Sequence, residues 1–246
     1  MHYKHKINTQ FKHLEEDLLN IKSLFQKNTT SIHKARNELK ILKLSDGNEY
    51  VVKSFKVPHL LNRVVYAYFR DSKAKKSYEN GLKLMQLEVN TPTPVGVIEF
   101  FENGLLHESY FISQYQKYDF TIREVFHHKV ENYKDGLKAF SAFTYEIHQK
   151  GVWHVDYSLG NILVTQKDNE FHFSLVDINR MKFQTIPPEL GLKNFNKFWA
   201  KDENDLILIA QEYAKLTHFD EEKAKQIVLS EAKKLEAQVN LKKRLK

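Results

Sequence analysis

Two acids and one amide carry the strongest chemical signal in this chain of 246 residues. The run His154-Val-Asp156-Tyr-Ser-Leu-Gly-Asn161 places an amide five residues after a carboxylate, and Asp177 follows sixteen residues later at the end of an apolar stretch. Phosphoryl transfer needs this set. One carboxylate orients the attacking hydroxyl and takes its proton, while a carboxylate and an amide oxygen hold Mg²⁺ against a triphosphate. Oxygen donors with open positions suit Mg²⁺, which keeps waters and binds through substrate phosphates. Taken singly, Asp156 and Asn161 read as turn or cap residues and Asp177 as a strand terminus. Their order after a helix makes the pattern specific. Upstream, Lys53 is the one lysine in the apolar run Tyr50-Val-Val-Lys53, placed to bring an ammonium to the α- and β-phosphates, and Glu79 lies on the next helix, where a Lys–Glu pair would fix that lysine.

The elements that must position these groups can be read from spacing. Phe11, Leu14, Leu18, Ile21 and Phe25 recur at intervals of three and four, which predicts an amphipathic helix over 11–26. Alternation in 38–44 and 49–55, with turn chemistry at Ser45-Asp-Gly-Asn48, predicts a hairpin. A helix is expected from Val64 to Glu88, broken by Thr91-Pro-Thr-Pro94. Strands at 95–101 and 106–113 flank an Asn103-Gly104 turn. Leu137, Phe140, Phe143 and Ile147 form a helical stripe that stops at Gly151. Short strands are expected at 161–165 and 171–176, and helices after Pro187-Pro188, after Asp202 and after Asp220. The reading is α+β. A helical extension (1–28) precedes a β-rich part (29–113), a joint (114–117) and an α-rich part (118–246) that ends in a basic helix.

Composition bounds the alternatives. The chain has no cysteine, which excludes a disulfide scaffold, a thiolate metal site and a cysteine nucleophile. Its longest aliphatic run, Leu206 to Ala210, is far short of the ~20 residues that span a bilayer, so a soluble cytoplasmic protein is expected. The formal charge is +7, and Lys53 to Lys76 holds seven Lys or Arg against one acid. That concentration favours an anionic substrate or an acidic membrane surface. On the expected helix, Arg63, Arg70 and Lys73 share a face. No nucleic-acid recognition motif is present, so none is expected as a partner. His154 is expected to pack and hydrogen-bond rather than to transfer protons.

Beyond these readings, the chain resembles the lipopolysaccharide kinase (Kdo kinase) family of the protein-kinase-like superfamily. The similar segments are Asn48–Lys56, Phe69–Glu79, Thr91-Pro-Thr-Pro94, His154–Leu163 and Leu175–Phe183. The resemblance implies a two-lobed protein-kinase-like fold, with a β-rich N-lobe, an α-helical C-lobe, and ATP with Mg²⁺ between them. It implies transfer of the γ-phosphate to a sugar hydroxyl of the lipopolysaccharide inner core, at the inner face of the cytoplasmic membrane. By position, Asp156 becomes the catalytic base, Asn161 and Asp177 the metal ligands, and Lys53 with Glu79 the phosphate clamp. Gln114 and Tyr115 become hinge residues beside the nucleotide.

This sequence also departs from the pattern of protein kinases. No glycine occurs between residues 29 and 46, so backbone amides, the hydroxyls of Thr29 to Ser31, or Lys34 and Arg36 are left to cover the phosphates. Ile178-Asn179 follows Asp177 in place of Phe-Gly, Val155 replaces an arginine, and Ser158 stands where serine/threonine kinases carry lysine. These features lean away from a protein substrate. Two alternatives remain: a phosphotransferase of the aminoglycoside or choline kinase type, and a non-catalytic pseudokinase.

Overall fold

A computed structural model describes residues 2–31, 33–34, 37–55, 70–168, 170–198, 200 and 202–244. The chain divides into two compact units, Met1–Gln116 and Lys117–Lys246.

The first unit begins with a strand. β1 (His2–Ile7) is followed by a short 3-10 helix (Thr9–Leu14), α1 (Glu15–Leu19), α2 (Ile21–Lys27), β2 (His33–Lys34), β3 (Glu38–Lys43), β4 (Glu49–Phe55), α3 (Lys73–Gln86), β5 (Pro94–Glu102) and β6 (Leu105–Gln114). The strands form one antiparallel sheet in the order β1-β5-β6-β4-β3-β2. Alternation decides which face each residue serves. Tyr50, Val52, Ile98, Phe100, Tyr110 and Ile112 pack with Phe11, Leu14, Leu18, Ile21 and Phe25 from the N-terminal helices. Phe55, Val97 and Phe111 pack on the other face with Ala74 and Tyr78 of α3. Lys53 has the parity of Phe55 and lies in register with Phe111, so it belongs to the face that α3 covers.

Two expectations for this unit are corrected. The N-terminal extension is not wholly helical, because residues 2–7 pair with β5 from His2↔Phe101 to Ile7↔Gly96. The single helix over 11–26 is broken at Asn20 and begins as a 3-10 turn, although all five stripe residues are buried. Lys40, nearly buried, ties α2 to β3 by donating to the carbonyls of Phe25 at 2.8 Å and Asn28 at 2.6 Å. Both hairpins form as expected, with Gly47 at φ 81° and the Asn103-Gly104 turn at φ 50° and 76°. This left-handed backbone is why glycine and asparagine sit there.

The expected helix over 64–88 lies in part outside the described residues. Within them it starts at Lys73, where the Ser72 hydroxyl accepts from the Lys75 amide at 3.0 Å. Arg70 therefore precedes the helix and does not share a helical face with Lys73. Lys56 and Arg63 lie outside the described residues.

The second unit runs through β7 (Phe120–Thr121), α4 (Ile122–Phe126), α5 (Tyr133–Gln149), β8 (Val152–His154), a 3-10 turn (Leu159–Asn161), β9 (Ile162–Lys167) and β10 (Glu170–Leu175). β11 (Met181–Phe183), α6 (Pro188–Lys193), a 3-10 turn (Asn194–Lys197), α7 (Glu203–Thr217) and α8 (Glu221–Arg244) complete it. Its core is aromatic. The ring of Phe140 on α5 lies 5.2 to 6.2 Å from those of Phe126, Tyr157, Phe173, Phe195 and Phe198. Each such buried ring contributes ~1.5–3 kcal/mol.

A polar chain crosses this core. The Asn194 amide nitrogen donates to the His154 carbonyl at 3.1 Å, so its oxygen faces His148 Nε2 at 3.2 Å as acceptor. His148 Nδ1 is then left to accept from the Tyr213 hydroxyl at 2.8 Å. Burial pushes the His148 pKa down to about 4, so the ring is neutral at neutral pH. Gly191 makes room for the chain, since a Cβ there would lie 2.0 Å from the Tyr213 hydroxyl oxygen.

Two outcomes follow from this chain. Gly191→Ala should destabilise the protein by ~1–3 kcal/mol, and less than additively when combined with Tyr213→Phe, as measured by urea unfolding of the four proteins. His148 binds its proton more readily when unfolded, so its contribution is complete above pH 6.5 and declines as pH falls from 6.5 toward 4. The full effect is roughly 3 kcal/mol. Unfolding free energy should fall less steeply over that window in His148→Gln than in wild type; equal slopes would contradict the assignment.

Candidate active site

The loop from His154 to Asn161 is held at both ends by backbone contacts that its own side chains make. His154 is fully buried at the end of β8. Its Nδ1 accepts from the Asp156 amide at 3.1 Å, which leaves Nε2–H to donate to the Val176 carbonyl at 3.0 Å. Burial, the largest influence, lowers the pKa of His154 and outweighs the nearby carboxylates, so the imidazole stays neutral and cannot serve as a proton-transferring cation. Tyr157, also fully buried, donates to the Thr144 hydroxyl at 2.9 Å, and that hydroxyl donates to the Phe140 carbonyl at 2.8 Å. Asp156 therefore sits between two residues fixed in the core.

The three residues picked out by spacing come together here. The Asn161 amide nitrogen donates to the Asp156 carbonyl at 2.8 Å, and the Val176 amide donates to the Asn161 carbonyl at 3.0 Å. Asp177 is the next residue. It adopts the left-handed conformation (φ 55°), and one of its carboxylate oxygens accepts from Asn179 at 2.7 Å. With its nitrogen used, Asn161 keeps its amide oxygen as an acceptor, on a residue whose backbone bonds to Val176 immediately before Asp177. Two oxygen donors of this kind fit Mg²⁺. Among the described residues no group of three or more His, Cys, Asp or Glu side chains is arranged to hold a metal, so an ion here would take its other ligands from phosphate and water.

Asp156 has a partner that spacing did not reveal. Lys197 Nζ lies 2.6 Å from Asp156 Oδ1 and donates to the Val155 carbonyl at 3.1 Å. Burial raises the Asp156 pKa, but the Lys197 hydrogen bond and charge, with Arg180 farther off, outweigh it, and the carboxyl lies below its usual value. It is ionised at neutral pH. Arg180 also accepts the Val155 amide on its carbonyl at 2.9 Å, and the Arg123 guanidinium lies 3.2 Å from where a Gly160 Cβ would stand. The rim of the loop is thus cationic.

The remaining expected residues lie in the first unit. Lys53 is half-buried on β4, with its ammonium 5.2 Å from the centre of the Phe55 ring. Glu79 on α3 is engaged by Lys6 of β1 at 2.8 Å and by Lys75 at 3.9 Å. The expected Lys53–Glu79 pair is not the one this carboxylate makes. Gln114 ends β6, and its amide donates to the Thr93 carbonyl at 2.9 Å; the Tyr115 amide donates to the Glu49 carbonyl at 3.0 Å. Among the candidates for covering phosphates, Ser31 donates to the Glu38 carboxylate and Arg36 lies outside the described residues.

Comparison with solved structures decides the fold. The chain is similar to WaaP in complex with acyl carrier protein, at 14% identity and a TM-score of 0.63, over 94% of this chain and 99% of that one. It is also similar to the Rio2 kinase–ADP/Mg²⁺–phosphoaspartate complex from Chaetomium thermophilum, at 15% identity and a TM-score of 0.50, over 89% of this chain and 67% of that one. The chain has a protein-kinase-like fold. No family model and no curated protein matches it. No described helix is long and apolar enough to cross a membrane.

His154→Ala should cost ~2–5 kcal/mol, because it leaves the Asp156 amide and the Val176 carbonyl without partners and opens a cavity. Chemical denaturation measures this. A change below about 1 kcal/mol would show that the imidazole does not carry the loop.

Proposed function

We propose that this protein is an ATP- and Mg²⁺-dependent kinase that moves the γ-phosphate to a sugar hydroxyl, with Kdo in the lipopolysaccharide inner core as the acceptor. The observation that carries the reading is that Asn161 bonds both to the Asp156 carbonyl and to the amide of Val176, the residue before Asp177, on a protein-kinase-like scaffold. The Rio2 structure named above holds ADP and Mg²⁺, which supports the same nucleotide and metal for this chain.

The chemistry follows from the charges. Asp156, ionised, accepts the hydrogen bond of the acceptor hydroxyl, aligns it with the γ-phosphorus and takes its proton as the bond forms. Its depressed pKa makes it a weak base. That suits a loose transition state, in which the proton leaves late and alignment matters more than basicity. Asn161 and Asp177 would hold Mg²⁺, which when bound neutralises charge on the phosphates. Lys53 is the candidate cation for the α- and β-phosphates.

Acceptor class rests on the motif resemblance and on charge. Lys197, Arg180 and Arg123 make the surroundings of Asp156 cationic, which favours an acceptor that carries phosphates or carboxylates. Arg70, Lys73, Lys75 and Lys76 add positive charge on the first unit, suited to the acidic inner face of a bilayer.

Purified protein with Mg²⁺ and ATP should phosphorylate a Kdo-containing lipid A acceptor, read as an added phosphate by mass spectrometry. Asp156→Asn should lower turnover ~10²–10⁴-fold while leaving ATP binding nearly unchanged. Wild-type transfer to neutral small alcohols or amino sugars, with none to the glycolipid, would replace this acceptor with a small-molecule one. Full activity in Asp156→Asn would overturn the assignment of the base.

A further inference from the structure

Ser158 occupies the position at which serine/threonine protein kinases carry a lysine two residues after the catalytic acid. The structure supplies a lysine from elsewhere. Lys197 closes the short 3-10 turn Asn194–Lys197, forty-one residues beyond Asp156. We propose that Lys197 is the positioning residue for Asp156, fixing the carboxylate so that its second oxygen faces the acceptor hydroxyl. This inference rests on the kinase reading above and deepens it.

Three observations carry it. The ammonium bridges two acceptors of one loop, Asp156 Oδ1 at 2.6 Å and the Val155 carbonyl at 3.1 Å, so it holds the side chain relative to its own backbone. Asp156 Oδ2 makes no hydrogen bond among the described residues and is left for the acceptor. The turn that presents Lys197 is itself pinned. Asn194 is buried and bonded to the His154 carbonyl, while Phe195 and Phe198 are fully buried in the aromatic core on either side. A lysine on a mobile surface segment spends entropy to hold one geometry. Here the backbone is fixed by packing, and the side-chain exposures of Lys197 and Asp156 are 29% and 35%. The pair is therefore neither fully solvated nor sealed. The carboxylate keeps access to a substrate while the lysine limits its rotamers.

A merely structural ion pair predicts a different result from a positioning one. Lys197→Met, Lys197→Gln and Lys197→Arg are to be compared with wild type for kcat, for the KM of ATP and for melting temperature, with glycolipid and small alcohols as acceptors. Positioning predicts a fall in kcat of ~10²-fold in Lys197→Met with the KM for ATP within about twofold of wild type, and recovery of at least about tenfold in Lys197→Arg. Should Lys197→Met melt lower, Lys197→Gln decides, since its amide can still donate to the Val155 carbonyl without the charge. If wild type transfers phosphate and both neutral variants match it within about threefold, the role of Lys197 falls and the kinase reading stands. A loss that arginine does not restore, and that tracks a lower melting temperature, also overturns it. If wild type moves phosphate to no acceptor, the kinase reading fails and this role fails with it.

Discussion

A buried, uncharged imidazole is the point on which the second unit turns. His154 has two nitrogens, and both are committed to the backbone, one to the Asp156 amide and one to the carbonyl of the residue before Asp177. This works only if the ring is neutral, because a protonated Nδ1 has no lone pair for the Asp156 amide. Burial enforces neutrality by penalising the charged form. The same logic recurs at His148, whose two nitrogens continue the chain to Tyr213 and Asn194. Asn194 in turn caps the His154 carbonyl. The loop that presents Asp156 is thus the visible end of a hydrogen-bonded path through an aromatic core, where unpaired polar groups are costly.

Around this rigid base the charged groups are shared unevenly. Asp156 is half-buried and its lysine comes from a packed turn. Glu79 sits at the surface, and its partner Lys6 comes from the edge strand, with side-chain exposures of 40% and 54%. An exposed pair of this kind contributes at most about 1 kcal/mol. It does not by itself commit Glu79 to β1. The face of the sheet is committed, because Lys53, Phe55 and Phe111 have one parity and α3 covers it.

Much of this was legible in the sequence, and for physical reasons. The hairpins announced themselves because Asp-Gly and Asn-Gly tolerate the positive φ that their turns require. The long helix at Tyr133–Gln149 showed its apolar stripe and its glycine stop. The closeness of Asp156, Asn161 and Asp177 along the fold was readable from their spacing, because one loop and one hairpin bring these backbones together locally. What failed was non-local or unpatterned. His2–Ile7 is polar and almost wholly exposed, so an edge strand there has no alternation to betray it. β8 and β11 are three residues each, too short for a period. Lys197 is one cation among many until folding brings it to Asp156, and the absence of lysine at Ser158 was the one hint that such a residue was needed. Glu79 was placed on the correct helix, but spacing cannot say which of several lysines will reach it.

Asn161 and Asp177 are proposed to form, with Asp156, one nucleotide–metal site. Calorimetric titration of ATP into wild type, Asn161→Ala and Asp177→Ala, each with Mg²⁺ and with EDTA, tests it without requiring the acceptor. Mg²⁺ should tighten ATP binding in wild type by at least about tenfold, Asp177→Ala should remove this gain and Asn161→Ala should reduce it. Identical Mg²⁺ dependence in all three proteins would contradict it.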